Sequence, residues 1–212
     1  MTAIPLKPQY GPTLGRLLEP RWRSAAPTVR ALVIAAGIGL LALMIALVLS
    51  LLNASYSRGG AVPFSFEYRS LYKTSPNPGG YVKVARSSAG KLEDSYAVAP
   101  IAIAPYRGSV TGELPLAAAA YTHTLAARFP AFRLEGEGKT RISSTLAGYQ
   151  MLYSTLAGGQ KLYGRDVILI PPHHGANQGV VVEMLSSEAA SISKPVASSG
   201  VLETPLKTFA FG

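Results

Sequence analysis

Two adjacent histidines come closest to a chemical site in this sequence by type and position. His173 and His174 lie in the stretch PPHHGANQG, between two apolar runs. Imidazole nitrogens are common metal ligands, so the pair raises a metal-dependent enzyme as one alternative. The nearest carboxylates are Asp166 and Glu183, and neighbouring side chains of an extended chain point to opposite faces. We therefore expect an exposed polar loop, with no catalytic residue, no metal ligand and no cofactor.

Paired carboxylates are a second arrangement that acid–base chemistry requires. Glu135 and Glu137 are two residues apart and would share one face of a strand. Lys139 and Arg141 continue that face, so the pattern favours a solvated strand of alternating charge. The sequence has no G-x-S-x-G nucleophile motif and no cysteine, which excludes disulfides and cysteine metal sites. We expect a protein that is not an enzyme.

Tyrosines offer a binding surface rather than a reaction. The chain has 11 of them, and Tyr149, Tyr153 and Tyr163 fall in the central predicted strands. Amphipathic rings at these positions can line a groove between a sheet and a helix. Together with His173 and His174, they form the candidate ligand or partner surface, and ordinary packing at the core edge is the alternative interpretation.

The pentapeptide STLAG occurs twice, at residues 144–148 and 154–158. A phosphate-binding loop would need a lysine followed by Ser or Thr at the start of a helix, but Lys161 is followed by Leu162. The two copies instead mark the two ends of one strand. Gly158 and Gly159 supply the turn into the next strand of a meander.

One long apolar run predicts that the chain is anchored in a membrane. Of the 212 residues 48% are hydrophobic and 15% charged, and no charged residue lies between Arg30 and Arg58. About 20 apolar residues cross a bilayer as a helix, so residues 29–52 are predicted to form one transmembrane helix. A signal peptide cleaved after Ala54 is the competing interpretation.

Charge asymmetry predicts the orientation of that helix. Residues 1–30 carry five basic residues and one acidic residue, and positive flanks stay in the cytoplasm. We expect the N-terminus inside and the C-terminal domain outside the cell membrane. The rest of the net charge of +9 is scattered singly, which favours the lipid bilayer as a partner and argues against nucleic acid.

The chain then divides into four segments. Residues 1–28 are a proline-containing cytoplasmic tail, 29–52 the transmembrane helix, 53–62 a polar linker, and 63–212 an extracytoplasmic α+β domain. In that domain, alternation over 64–72 and 81–87 predicts a hairpin. Pro100 and Pro105 interrupt the run over 96–106, which predicts an edge strand or an irregular crossing.

One helix and a second group of strands complete the domain. The alanine-rich segment 114–130 predicts a helix that packs through one face of mostly small residues: Leu116, Ala120, His123 or Thr124, and Ala127, with Leu125 nearby. Four strands (132–143, 147–155, 161–170 and 179–187), a short helix over 186–194 and an alternating C-terminal segment follow. The predicted class is α+β, an antiparallel sheet of about six strands packed with one main helix and preceded by one transmembrane helix.

The order of these elements over residues 64–212 resembles the PsbP-like fold, including LpqN-type lipoproteins. The segments AARFPAF, TLAGYQMLYST, GRDVILIPP and GVVVEML carry the resemblance. It implies a small binding or assembly domain without conventional catalysis, here on a helical anchor instead of a lipidated cysteine. High alanine and arginine usage is typical of a GC-rich bacterium.

We therefore expect a membrane-anchored extracytoplasmic binding or scaffolding module. It would act as an accessory subunit or assembly factor with other proteins of a bacterial membrane or envelope complex. The alternatives are a small-molecule or lipid-binding domain, and a metal-dependent envelope enzyme that uses the His173-His174 loop.

Overall fold

A computed structural model describes residues 26–75, 77–103, 110–143, 146–171 and 178–212. The chain forms two compact units, residues 1–49 and 50–212. The described part of the first unit is an apolar helix, and the second unit is an α+β domain with antiparallel sheets. The α+β class predicted from sequence is confirmed.

Helix α1 spans Pro27–Leu51. Its stretch Pro27–Val48, 22 residues, is long and apolar enough to cross a membrane. Its large side chains are exposed, for example Leu32 (71%) and Leu43 (66%). The described chain thus has an N-terminal helix of the kind that forms a membrane anchor or a signal sequence.

The α+β domain contains ten described strands and two further helices. The strands are β1 Asn53–Arg58, β2 Phe64–Arg69, β3 Lys73–Ser75, β4 Val82–Ser88, β5 Lys91–Ala102, β6 Arg133–Ile142, β7 Leu146–Ala157, β8 Gln160–Leu169, β9 Gln178–Ser186 and β10 Ala210–Phe211. The helices are α2 Val110–Arg128 and α3 Glu203–Thr208.

Two antiparallel sheets organise these strands. The large sheet has seven strands in the order β3-β4-β5-β9-β8-β7-β6, and the small sheet has three in the order β1-β2-β10. The turn between β7 and β8 uses Gly158 and Gly159, both with positive φ (57° and 75°), as tight hairpins require. This confirms the meander predicted from the repeated STLAG, whose Ser144 and Thr145 lie outside the described residues.

Alternating side chains give the large sheet two buried faces. On the helix face, Met151, Tyr153, Ile168 and Val181 pack against Leu114, Ala118 and Leu125 of α2. On the loop face, Val167, Leu169, Val180 and Val182 pack under the small sheet, α3 and the segment 187–202. Both faces of the sheet are therefore covered, and β8 and β9 are buried nearly throughout.

The loop face is rich in aromatic contacts. The Phe66 ring lies 4.8 Å from that of Tyr96 and 5.5 Å from that of Tyr56. Phe209 stacks 5.6 Å from Phe64. These rings join the small sheet to the large one through a packed apolar layer.

Two N-terminal assignments from sequence are wrong. Residues 53–58, assigned to the linker, form β1 and pair with β2. The hairpin of 64–72 with 81–87 does not form, because β2 pairs with β1 and β10 while β4 pairs with β3 and β5. Alternation of apolar and polar residues identifies a half-buried strand, but it does not show which other strand pairs with it.

The proline-containing run is also placed differently. Strand β5 lies inside the large sheet, between β4 and β9, and is not an edge strand. Pro100 is tolerated because β4 pairs with β5 only as far as Val98, so Pro100 has a neighbour only in β9. A missing N–H on that free side breaks no ladder. Pro105 lies outside the described residues.

Helix α2 exists as predicted but packs through another face. Leu114, Ala118 and Leu125 are buried, whereas Leu116 is 61% exposed and Ala120 and Ala127 are exposed. Alanine is apolar enough for either side, so the helix has two stripes of similar apolar character. The large residues Leu114 and Leu125 define the buried one.

The C-terminal segment departs from its prediction as well. Residues 187–194 contain no helix, and the helix there is α3, Glu203–Thr208. Only Ala210–Phe211 of the expected strand pairs, with β2. Phe209, fully buried, fixes this end on the loop face.

Candidate functional site

Adjacent residues of β8 place opposite charges on opposite faces of the large sheet. Arg165 is 7% exposed and Asp166 is 0% exposed. Asp166 contacts the cluster beneath α2, and Arg165 contacts the segment 187–202. Burial of either charge is costly unless a partner compensates for it, so each marks a place where the fold does more than pack apolar groups.

The acidic cluster on the helix face is built on a strand pair. Asp166 of β8 is the register partner of Glu183 of β9. Tyr153 Oη donates a hydrogen bond to Asp166 Oδ1 (3.1 Å), and Tyr121 Oη donates to Glu183 Oε1 (2.6 Å). Arg128 Nη1 also donates to Glu183 Oε1, at 2.8 Å. Two side chains of α2 thus bind one carboxylate of the sheet.

The two carboxyl groups of this cluster are not equivalent. Burial raises the pKa of Asp166 well above its ordinary value, and the negative charge of Glu183 raises it further. Asp166 Oδ2 has no hydrogen-bond partner among the described residues, while Glu183 has the Arg128 ion pair. These surroundings favour the neutral form of Asp166.

The inner part of this cluster is buried. Asp166 and Tyr153 are 0% and 2% exposed, and the rings of Phe129 and Phe132 lie 5.7 and 5.2 Å from the Tyr153 ring. Gly164 leaves room for the Tyr153 ring, because a Cβ there would collide with it. The cluster holds α2 on the sheet, with Arg128 partly exposed at its rim.

On the loop face, Arg165 has a different environment. Its Nη1 donates to the carbonyl oxygen of Val196 (3.1 Å) and its Nη2 to Thr140 Oγ1 (3.3 Å). Both acceptors are neutral, and Nε is buried without a partner. No carboxylate pairs with Arg165 in the described ranges of the chain. Burial lowers the pKa of Arg165, but a guanidinium stays protonated in proteins.

Arg165 lines a cavity of about 570 Å³. The cavity lies between the end of β6, the segment around residue 197 and α3, and its other charged lining residues are Arg141, Glu203 and Lys207. Lys207 Nζ forms an ion pair with Glu203 Oε1 at 2.6 Å. The Lys207–Glu203 pair leaves the charge of Arg165 uncompensated, so this cavity is the candidate ligand site among the described residues.

The backbone beside the cavity is strained. Ala197, which lines it, has φ 64°, a left-handed conformation that disfavours residues with a side chain. Ala197 follows Val196, whose carbonyl accepts the Arg165 hydrogen bond. Strain of this kind clusters at binding sites.

The loop face also has a buried acid, Asp94, and both of its carboxylate oxygens have hydrogen-bond donors. Asp94 accepts hydrogen bonds from Arg86 Nη2 (2.6 Å) and Ser186 Oγ (2.7 Å). It borders a smaller cavity of about 190 Å³ under residues 188–202. Both Asp94 oxygens are thus used, and the other charged residues in the lining of this cavity, Glu188 and Lys194, are exposed.

The structure does not bring the three predicted tyrosines into one groove. Tyr149 is half-buried and Tyr153 fully buried at the helix face, whereas Tyr163 packs at the loop face. Tyr153 and Tyr163 both line a cavity of about 20 Å³, enough for about one water. Tyr153 instead acts as the hydrogen-bond donor of Asp166.

His173 and His174 lie outside the described residues. Within the ranges that the structure describes, no three His, Asp or Glu side chains come together as a metal site. Glu137, Lys139 and Arg141 are exposed on β6, as the prediction of a solvated strand required. Glu135, also exposed, accepts a hydrogen bond from Ser154 Oγ at 2.9 Å.

Sequence reasoning missed Arg165 and Asp166. Their signal is the dipeptide Arg-Asp within the otherwise apolar strand KLYGRDVILI. Two charged residues inside such a run predict two buried charges on opposite faces of a sheet.

Comparisons with known proteins support the fold. No protein-family model matches the chain, and no curated protein matches it. A similar solved structure is LpqN, involved in cell envelope biogenesis of Mycobacterium tuberculosis, with TM-score 0.51 and 8% identity over 75% of this chain and 91% of that chain.

The Saccharomyces cerevisiae Ran-binding protein Mog1p aligns with TM-score 0.49 and 9% identity over 76% of this chain and 96% of that chain. At 8% identity, the likeness to LpqN concerns the fold alone, and at that level it confirms the resemblance that the order of elements implied.

Proposed function

We propose that this protein is a single-pass, membrane-anchored binding module of a bacterial cell envelope, with its α+β domain outside the cytoplasm. It serves as an accessory subunit or assembly factor and is not an enzyme. The observation that carries the binding role is the cavity lined by Arg165, a buried cation without a described acidic partner. Such a group destabilises a fold that lacks a ligand, so its presence favours a binding role.

The anchor and its orientation are supported by charge and length. Helix α1 contains a 22-residue apolar stretch, and residues 1–30 have five basic residues against one acidic residue. This asymmetry favours a cytoplasmic N-terminus.

An uncleaved anchor is supported by strand β1. Asn53 and Ala54 pair with Arg69 and Tyr68, so cleavage after Ala54 would remove two paired residues from the small sheet. The protein is therefore proposed to keep α1 as a permanent anchor rather than to lose it as a signal peptide.

The envelope assignment is supported by the similarity to LpqN, a protein of cell envelope biogenesis. Other envelope proteins and the lipid bilayer are the proposed partners.

Topology can be tested by cysteine labelling, because the chain has no cysteine of its own. Ser88→Cys places a thiol at the exposed end of β4, and Thr13→Cys places one in the N-terminal tail. A membrane-impermeant maleimide applied to intact cells should label Ser88→Cys, while Thr13→Cys should react only after lysis. The reverse pattern, or a mature mass beginning at Ser55, would refute the proposed anchoring.

Binding can be tested by native mass spectrometry of the full chain, extracted gently from its own membrane. A larger assembly would support the accessory-subunit role, and added small-molecule mass would support ligand capture by the domain. Repeated recovery of the bare monomer would count against both.

A further inference from the structure

We propose that the cavity on the loop face binds a phosphate group, carried either by a soluble phosphorylated molecule or by a lipid headgroup. Arg165 is the principal ligand, and Lys207, ion-paired with Glu203, lies at the same cavity. This inference rests on the proposed binding function and names the chemistry of its ligand.

Arg165 has N–H donors that its described hydrogen bonds do not use. A guanidinium has five N–H donors, and the described contacts use only Nη1 and Nη2, each toward a neutral oxygen. The side chain is held in place by Val196 and Thr140 and is almost fully buried. An anion bound beside it would gain charge-assisted hydrogen bonds to a preorganised fork, the geometry that suits phosphate oxygens.

The lining of the cavity leaves the charge of Arg165 uncompensated. Arg165, Lys207 and Glu203 are its charged side chains on the loop face, because Arg141 alternates with Ile142 along β6 and lies on the other face of the sheet. Glu203 is already paired with Lys207. The hydroxyls of Ser143 and Ser198 also belong to the lining and add uncharged donors of the kind that phosphate sites use.

The size and the polarity of the cavity suit a ligand larger than a phosphate ion. A volume of about 570 Å³ lies within the range of small-molecule sites, about 300–1,000 Å³, and exceeds what a phosphate ion alone would fill. Ile142 and Leu206 line the same cavity. The ligand therefore has an organic portion that contacts these apolar side chains while its phosphate reaches Arg165.

The test uses the full chain in nanodiscs and measures its thermal unfolding midpoint with increasing glycerol 3-phosphate. Glycerol is the matched ligand without the charge, and ionic strength is held constant with chloride. Glycerol 3-phosphate should raise the midpoint in a saturable way, and glycerol should not. If neither inorganic phosphate nor glycerol 3-phosphate stabilises the wild type, and anionic lipid has no effect either, the proposal is wrong.

Variants locate the site. Arg165→Gln should weaken binding by about tenfold or more, because a charge-assisted contact is lost. Arg133→Gln is the matched control, since Arg133 is exposed on β6 and is absent from the lining; it should bind as the wild type does. Equal binding by folded Arg165→Gln would overturn the assignment.

Two milder variants keep the test valid if Arg165→Gln fails to fold. Arg165→Lys retains the positive charge but lacks the planar guanidinium group, so it should bind glycerol 3-phosphate more weakly than the wild type. Lys207→Gln, in an exposed position, leaves Glu203 unpaired at the cavity and should weaken binding as well. Unchanged affinity in both variants would refute the proposal.

The source of the phosphate is decided by lipid composition. With the full chain in dodecyl maltoside, a detergent without phosphate, added phosphatidylglycerol should weaken apparent glycerol 3-phosphate binding if a lipid headgroup occupies the site. Affinity that does not change with added phosphatidylglycerol would assign a soluble ligand. A failed phosphate test with intact topology and a co-purifying partner would refute only this inference, whereas reversed labelling would refute only the proposed anchoring.

Discussion

The two faces of the large sheet bury charge in opposite ways. Beneath α2, the acidic pair Asp166 and Glu183 is closed in by Tyr121, Tyr153 and Arg128. On the loop face, Arg165 contacts only neutral acceptors among the described residues and borders a cavity. The cluster beneath α2 holds a helix on the sheet. Access to a cavity, and not burial alone, is what makes Arg165 the proposed ligand-binding residue.

A second contrast separates two buried aspartates. Asp94 has an arginine and a serine as partners, whereas Asp166 has a tyrosine and lies beside another carboxylate. Both oxygens of Asp94 have partners, and the surroundings of Asp166 favour its neutral form. The two faces should therefore respond differently to mutation and to pH.

The largest expected effect is in the aromatic layer of the loop face. Phe66→Ala removes a side chain that is 2% exposed and contacts Tyr56 and Tyr96. We expect a loss of about 3–5 kcal/mol in the free energy of unfolding, measured by urea denaturation. A loss below that of Leu125→Ala would show that the helix face contributes more to the stability of the domain.

On the helix face, Leu125→Ala should cost about 2–5 kcal/mol, because Leu125 is 0% exposed in the cluster beneath α2. Leu116→Ala on the same helix is the control. Leu116 is 61% exposed, so its replacement should change stability by less than about 0.5 kcal/mol. Similar losses for both variants would contradict the orientation of α2.

Gly164→Ala sharpens the comparison at β8 itself. Its new methyl group would collide with the Tyr153 ring and shift the donor of Asp166. We expect a loss of about 1–3 kcal/mol, typical of overpacking, and a changed near-ultraviolet circular dichroism signal from tyrosine. Gly138→Ala, where a Cβ meets nothing within 4 Å, should leave that signal intact.

The smallest expected change in the free energy of unfolding at acidic pH is that of Asp166→Asn. The pKa of Asp166 is raised in the folded protein, so between about pH 4, where an unfolded aspartate titrates, and the folded pKa, the folded state keeps a proton that the unfolded state has lost. Stability from this group is present below about pH 4 and declines as pH rises, by up to about 1.4 kcal/mol per pH unit. Asparagine resembles the neutral acid and should remove this decline.

The measurement is the free energy of unfolding against pH for wild type and variant. Asp94→Asn is the control from the other face, because it breaks the contact with Arg86. It should lower stability by about 1–3 kcal/mol at neutral pH, where Asp166→Asn should not destabilise. A wild-type and an Asp166→Asn curve of equal slope would show that Asp166 is ionised in the folded protein.

Much of the fold could be predicted from particular segments. The meander β6 to β9 and helix α2 follow from alternation, glycine turns and the bounding Pro130, all local signals. The pairing of β1 with β2, and of β2 with β10, could not be predicted. Phe64 and Phe211 are register partners far apart in the chain, and nothing local names a distant partner.

The candidate site was predictable only in part. Tyr149, Tyr153 and Tyr163 were grouped because they lie in neighbouring strands, but register decides which face each one occupies. Tyr153 lies opposite Gly164, and Tyr163 lies opposite Ser154, so Tyr153 and Tyr163 point to opposite faces. The Arg-Asp dipeptide of β8 held the more useful signal, since charge within an apolar strand needs compensation.

By itself, the sequence determined the apolar helix, its charge asymmetry and the α+β class, because length, period and turn chemistry act over a few residues. The tertiary structure alone decided which stripe of α2 is buried, that Pro100 is tolerated inside a sheet, and that Arg165 meets a cavity while Asp166 meets a carboxylate. These outcomes depend on which distant segments cover each face. Tertiary packing alone determines which segments cover each face of the sheet, and therefore how well each buried charge is solvated.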